Sequence, residues 1–555
     1  MTQAPLLAVS DLRVAISTRT GAVKAVDGIS FSIAPGRTLA LVGESGSGKS
    51  MTAMSLLGLT PPGTVVETSG SARFDGQDLL GLPEAELRRI RGRRIAVVFQ
   101  DPSAALDPLM NVFNQIREAL PAELAGGVEA RHRVRELLAE VGLAAVPHIE
   151  KRYPHELSGG QQQRVAIAAA LAGSPSLLIA DEPTTALDMT VQAQILQLLT
   201  NLQQARGMAM LLITHDLGIV ATHADDVLVL RKGAMVEAGP VAEVIGNPKD
   251  AYTRMLLDSR PSVHGAPSAG QTSSPNVLAV AALKVTYPGR NVFSPRIVAV
   301  DGVSLTLPRG SSLGIVGESG SGKSTVAKAI VGLTRIDSGS VLLNGKPLAN
   351  PEHMPASLRA RVQYIFQDSY GALNPRMTVE RAIGEPFAIA GMPRPRRRDG
   401  VLALLEEVGL SEIHLGRYPR ELSGGQRQRV NIARALALSP ELLICDEIVS
   451  ALDVSIQAQV LKLLKQLQQS RGLTLLFISH DLAVIAQLCD HVLVMKSGEV
   501  VETGSVPSVF DRPSHPYTKG LLQAAAALDT RDASARNRQD DENLLLSRRP
   551  LAHLA

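Results

Sequence analysis

One octapeptide, twice present, limits what this chain can become: Gly43-Glu-Ser-Gly-Ser-Gly-Lys-Ser50 and Gly317-Glu-Ser-Gly-Ser-Gly-Lys-Ser324. Both fit G-x-x-x-x-G-K-[ST], a loop that joins a buried strand to a helix and cradles phosphate. Apolar strands are legible in front of each, at Thr38–Val42 and Ser312–Val316. Gly43, Gly46 and Gly48, with Gly317, Gly320 and Gly322, let the backbone around Ser45 and Ser319 wrap with its N–H groups inward, a nest for anionic oxygens. The following helix adds the positive end of its dipole. Lys49 and Lys323 are then placed to neutralise β- and γ-phosphates, and the hydroxyls of Ser50 and Ser324 to help hold Mg²⁺. Thr325 follows Ser324, where the first copy has Met51. A lone string of this kind also reads as a glycine-rich turn before a helix. The Lys-Ser pair, the apolar strand and the repetition all favour the cradle.

The repetition extends along the chain. Lys49 and Lys323 are 274 positions apart (323 − 49), while Glu182 and Glu447 are 265 apart (447 − 182), as are His215 and His480. The chain is a tandem duplication with a few residues lost from the second copy, chiefly between the phosphate loop and Gln100 or Gln367.

In the first copy, 6–17 and 25–33 alternate in hydropathy and predict antiparallel strands. A strand over 95–99 runs into Gln100-Asp-Pro, and residues from Ser103 to about Leu157 predict a helical layer. Apolar strands over 177–180 and 210–213 end on Asp181-Glu182 and Thr214-His215, and a hairpin turns at Lys232-Gly233. Strands alternating with helices predict a mainly parallel α/β sheet, whose ligands gather at the strand C-terminal ends. Copy one spans 1–260. Residues 261–276, rich in Pro, Ser, Gly and Ala, read as a flexible linker, copy two as 277–528, and 529–555 as a disordered tail.

Leu177-Leu-Ile-Ala-Asp-Glu182 and Leu442-Leu-Ile-Cys-Asp-Glu447 deliver two carboxylates each to a sheet edge. Asp181 and Asp446 are placed to hold the Mg²⁺ shell, and Glu182 and Glu447 to polarise a water as general base. A lone Asp-Glu at a strand end is an ordinary solvated turn; an upstream phosphate loop changes that reading. Leu157-Ser-Gly-Gly-Gln161 and Leu422-Ser-Gly-Gly-Gln426 are the most discriminating stretches. Ser158 and Ser423 sit where a helix N-cap belongs, and the glycines let backbone amides approach an anion.

With these motifs, nearly all of both halves resembles the ATP-binding-cassette (ABC) ATPases. The resemblance implies two cassettes, each a RecA-like, mainly parallel core with an antiparallel β subdomain and a helical subdomain. It implies two head-to-tail ATP sites within one chain. One would pair Lys49, Ser50, Gln100, Asp181, Glu182 and His215 with Ser423 and Gly425. The other would pair Lys323, Ser324, Gln367, Asp446, Glu447 and His480 with Ser158 and Gly160. Gln100 and Gln367 would sense the γ-phosphate and Mg²⁺. His215 and His480 would contact the γ-phosphate and hold the attacking water, and Asp188 and Asp453 would couple the sites. Tyr287 matches the family's adenine-stacking aromatic, whereas copy one has Ile16 there. Copy two reads Asp-Glu-Ile-Val-Ser450 where Asp-Glu-Pro-Thr is common.

The segments Phe99-Gln-Asp-Pro-Ser-Ala-Ala-Leu-Asp-Pro108, Phe366-Gln-Asp-Ser-Tyr-Gly-Ala-Leu-Asn-Pro375 and Pro513-Ser-His-Pro-Tyr-Thr518, with an echo at Pro248-Lys-Asp-Ala-Tyr-Thr253, are similar to the oligopeptide, dipeptide and nickel importer ATPases. Fused pairs of this kind resemble the glutathione-type and microcin-type importers. The chain has no run of 18 apolar residues, so a pore is expected from two separate membrane-spanning permease subunits. An extracytoplasmic substrate-binding protein is implied by the branch. The N-terminus shows no secretion signal, which predicts a peripheral protein on the cytoplasmic face of the inner membrane. Two cysteines, Cys445 and Cys489, are too few for a cysteine-ligated cluster or a disulfide scaffold. A net charge of +3 gives no nucleic-acid footprint. A soluble tandem cassette acting on ribosomes is the rival; it is disfavoured by the short linker and by the His-Pro-Tyr-Thr segment. The runs Arg88–Arg94 and Arg394–Arg398 read as solvated loops, with membrane subunits or anionic headgroups as the alternative.

Overall fold

The computed structural model describes residues 4–18, 21–60, 64–185, 187–260, 274–289, 296–348, 355–450 and 452–527. They divide into two compact units, one up to Ser259 and one from Arg260 to Ala526.

In the first unit the central sheet has six strands, in the order Ala234–Pro240, Asp226–Arg231, Thr38–Val42, Ala209–Thr214, Leu177–Asp181, Ile95–Val98. Only the first pair is antiparallel. Every residue of Thr38–Val42, Leu177–Asp181 and Ala209–Thr214 is buried. Such strands are covered on both faces, which is why they read as continuous apolar runs rather than alternating ones. One face packs on a four-stranded antiparallel sheet built around Leu7–Thr18 and Gly21–Ile33, in a core that includes Leu12, Leu41, Phe74 and Ile179. The other face packs on helices, among them Gly127–Glu140, Gly159–Leu171 and Met189–Arg206, through Val134, Val165 and Leu199.

The second unit repeats this plan. Its six-stranded order is Val362–Ile365, Leu442–Asp446, Thr474–Ile478, Ser312–Val316, His491–Lys496, Glu499–Ser505, beside a four-stranded sheet around Asn276–Tyr287 and Ile297–Pro308.

Two expectations change. Asn276, assigned to the linker, opens a strand; most of that linker and the whole of 529–555 lie outside the described residues. The basic run 394–398 is helical rather than a loop, whereas in 88–94 only 88–90 are helical and 92–94 are turns. Arg88 and Arg89 close helix Glu84–Ile90, Arg91 bonds the Glu84 carboxylate and the Leu57 carbonyl, and Arg94 bonds Asp75. Arg394–Glu407 is a helix from its first arginine, because Pro395 lies in the first turn, where its fixed φ suits a helix and its missing N–H costs nothing.

Candidate active site

The loop after strand Thr38–Val42 depends on glycine at two points where the backbone comes close. Gly43 has φ 156° and a Cβ there would lie 2.2 Å from the Leu230 carbonyl oxygen. Gly48 has φ 101°, and its Cβ would lie 2.4 Å from the carbonyl oxygen of Ala25. Gly317 and Gly322 repeat both collisions, against Met495 and Ala299 at 2.2 and 2.3 Å. Lys49 is buried and folds back over its own loop, its Nζ donating to the carbonyls of Gly43 (2.6 Å) and Glu44 (3.0 Å). Lys323 does the same to Gly317 and Glu318.

From 131 positions further along the chain, strand Leu177–Asp181 brings Asp181 to the start of helix Lys49–Leu56, which follows the loop. The Ser50 hydroxyl donates to Asp181 Oδ1 at 3.0 Å, and Ser324 to Asp446 Oδ1 at 2.9 Å. This hydroxyl–carboxylate pair is a set of hard oxygen donors, the kind Mg²⁺ prefers. Burial raises the pKa of Asp181, with the Ser50 bond acting against it; Asp446 is raised by burial in the same way.

The next residue turns sharply. Glu182 and Glu447 have φ of 45° and 49°, a region non-glycine residues avoid, and each backbone N–H is held by the neighbouring strand, at Ile213 and Ile478. Glu182 accepts from Gln100 Nε2 (2.8 Å) and Thr185 Oγ1 (2.9 Å), and lies 3.3 Å from His215 Nδ1. Glu447 accepts from Gln367 Nε2 (2.8 Å) and lies 3.4 Å from His480 Nδ1. Burial works to raise both glutamates, but the histidine bonds and charges outweigh it and hold both below the usual carboxylate value. Burial likewise lowers His480, and Glu447 more than offsets this, leaving the imidazole above its ordinary value. Each cassette thus holds a carboxylate kept ionised and a histidine beside it.

Most of the sequence-marked residues of each cassette therefore meet at the strand C-terminal ends. Gln100 and Gln367, expected on the metal shell, donate to the second carboxylate. Ser158 and Ser423 cap the helices Gly159–Leu171 and Gly424–Leu436 in full capping boxes with Gln161 and Gln426. Gly160 is packed so closely that a Cβ would lie 2.6 Å from Val191, and Gly425 repeats this at 2.4 Å from Ile456. Asp188 caps helix Met189–Arg206 through the Val191 amide. Tyr287 is 37% exposed, with its hydroxyl 3.5 Å from Thr334 Oγ1; Ile16 is half-buried. Thr325 lies in helix Lys323–Ile330.

Three features escaped the sequence. Tyr364 donates to Asp446 Oδ2, whereas Val97 holds the matching strand position in the first cassette. Thr185 reaches the Glu182 carboxylate, while Ser450 at the matching position bonds the Glu447 backbone carbonyl. Tyr252 and Tyr517 touch the phosphate loops from the far end of each cassette.

A phosphate cradle, a hydroxyl–carboxylate pair and a second, histidine-bound carboxylate define a phosphate-loop nucleoside triphosphatase, present twice. Comparison with known proteins agrees and narrows it. The ABC transporter family matches residues 26–185 and 300–450, and the oligopeptide/dipeptide transporter C-terminal region matches 236–285 and 501–547. A peptidoglycan transport ATP-binding protein, YejF, of Agrobacterium fabrum is 47% identical over 539 residues, covering 96% of this chain and 98% of the relative. The glutathione import ATP-binding protein GsiA of Escherichia coli K12 is 41% identical, covering 98% and 92%. Among solved structures, the ATP-binding cassette MJ0796 bound to ADP and Pi is 28% identical, covers 41% of this chain and 98% of its own, and has a TM-score of 0.37. The chain belongs to the ABC transporter ATP-binding family. It is a fused pair of cassettes, the ATP-hydrolysing subunit of an importer of the oligopeptide/dipeptide type, coupling hydrolysis to transport. The ribosomal alternative finds no support. No described helix is long and apolar enough to cross a membrane.

Proposed function

We propose that this chain powers uptake of peptides or a related small solute, such as a dipeptide, an oligopeptide, glutathione, a nickel chelate or a peptidoglycan fragment, through two separate membrane-spanning permease subunits. It would sit on the cytoplasmic face of the inner membrane and serve an extracytoplasmic substrate-binding protein. The names of the relatives and the C-terminal regions support this reading.

In each cassette the glycine cradle and Lys49 or Lys323 would hold the ATP phosphates, and Tyr287 would stack on adenine in the second. Ser50 with Asp181, and Ser324 with Asp446, would hold Mg²⁺, which when bound neutralises developing phosphate charge. Glu182 and Glu447 would orient and deprotonate the attacking water, steadied by His215 and His480. By resemblance to the family, Ser158 and Gly160 would complete the site of Lys323, and Ser423 and Gly425 that of Lys49. The observation that carries the chemistry is the ionised glutamate bonded to both glutamine and histidine, one residue beyond the Ser–Asp pair, in both cassettes.

Replacing Glu182 and Glu447 together with Gln is expected to cut ATP turnover roughly 10²–10⁴-fold; unchanged turnover removes both from the general-base role. The same variant, pulled from membranes in mild detergent with ATP, is expected to bring down two multi-span proteins. Ribosomal proteins in their place would sink the importer reading while leaving the ATP sites standing.

A further inference from the structure

The C-terminal region of each cassette returns to the phosphate loop and touches it through one tyrosine. The Tyr252 hydroxyl accepts the backbone N–H of Glu44, the second loop residue, at 3.3 Å across 208 positions of sequence. The Tyr517 hydroxyl accepts the N–H of Glu318 at 3.0 Å across 199. Each tyrosine is held from three sides. Its own N–H bonds a cap, Asp250 Oδ1 at 2.7 Å or His515 Nδ1 at 3.1 Å. The turn before it is pinned by a hairpin carboxylate: Glu237 takes the N–H groups of Lys249 and Asp250, and Glu502 those of Ser514 and His515. A cation covers the ring, Arg231 over Tyr252 at 4.8 Å and Lys496 over Tyr517 at 4.9 Å. Cap and cation differ in kind between the copies, yet the hydroxyl reaches the same atom.

We propose that Tyr252 and Tyr517 are positioning residues that set the entry of each phosphate loop, making nucleotide affinity in a cassette depend on whether its C-terminal region is docked. Glu44 and Glu318 stand where the strand leaves the sheet and the loop begins. An amide anchored there fixes the direction in which the later N–H groups and Lys49 or Lys323 point before any nucleotide arrives. Burial, together with the charge of Glu44, pushes the Tyr252 phenol up to about 12, so the hydroxyl stays neutral through the physiological range. The anchoring cost is met on folding rather than on binding, and preorganisation of this kind raises affinity without adding a contact. The inference rests on the loops being nucleotide sites.

The test is Tyr252→Phe and Tyr517→Phe, singly and together, in the full chain; each keeps the ring and its cation contact and deletes only the hydroxyl. Without nucleotide, hydrogen exchange at the Glu44 or Glu318 amide is expected to quicken in the matching cassette. KM for MgATP should rise about three- to tenfold, the scale of one hydrogen bond, with kcat at saturation unchanged, as befits a loss of equal ground- and transition-state binding. Glu502→Gln, which loosens the turn carrying Tyr517, should reproduce the second-cassette effect alone. Unchanged exchange and KM overturn the proposal. So does a lowered melting temperature with no local change in exchange, which would make the tyrosines ordinary packing. Lys49→Ala is the control: if it leaves nucleotide binding intact, the loop's assignment fails, whereas amide exchange still reports on the tyrosine.

Discussion

Asp446 and Asp181 hold matching places but not matching company. Both oxygens of Asp446 are engaged, by Ser324 and Tyr364, whereas the strand position that matches Tyr364 in the first cassette is Val97. A hydroxyl bonded to a metal-site carboxylate fixes its orientation, and losing such a partner typically costs 10- to 100-fold in metal affinity. Tyr364→Phe, made with Lys49→Ala so that one cassette is read, is therefore expected to weaken nucleotide-dependent Mn²⁺ binding by about tenfold or more in a paramagnetic titration. An unchanged midpoint would falsify the role. Motif reading marked Lys49, Ser50, Asp181, Glu182 and His215, because each stands in a short string whose neighbours announce it. It gave no sign of Tyr364, because one aromatic in an apolar strand reads as core. Nor could it see that Gln100 would donate to Glu182, since that bond depends on the unusual φ of the glutamate.

At the scale of elements, the buried strands are plain from their apolar runs, and the helix N-caps from Ser158 and Ser423, while the return bonds from Gln161 and Gln426 come from the structure. The arginine runs are largely exposed, as their charge suggests, but charge does not report the helix that starts at Arg394, which is governed by the backbone geometry of Pro395 in its first turn. The docking of the C-terminal regions was illegible for another reason: a contact across some 200 positions leaves no periodicity. What holds the second of these regions is Glu502. Burial opposes its ionisation, but the nearby Thr518 hydroxyl and the hydrogen bonds from Ser514 and His515 prevail and bring its pKa down to about 2. A carboxylate depressed on folding contributes stability that is present above its unfolded pKa and lost as pH falls through the folded one. The window here runs from about 4.5 down to about 2. Glu502→Gln should therefore melt earlier than the parent at neutral pH, with the gap closing as pH is lowered from about 5. A gap that stays constant with pH would show that the carboxylate's charge is not what pins the turn.

Over the whole molecule, the duplication has kept the chemistry and let its surroundings drift. Tyr287 corresponds to Ile16, Tyr364 to Val97, and Ser450 to Thr185, so the two sites should not be equal. Loss of a stacked ring is worth on the order of 1 kcal/mol, and weaker ATP binding is expected at the Lys49 site. Equilibrium titration of Lys49→Ala and Lys323→Ala chains measures each site in turn, and equal dissociation constants would rule the difference out. Against that drift, Glu182 and Glu447 share a backbone angle that disfavours any side chain at all. Glycine would sit there with less strain, by on the order of 1–3 kcal/mol for such a conformation. A protein selected for durability alone would have relaxed that turn in at least one copy. This one retains a standing debt at both, so its most heat-resistant descendants should be found among those that have given up their catalysis.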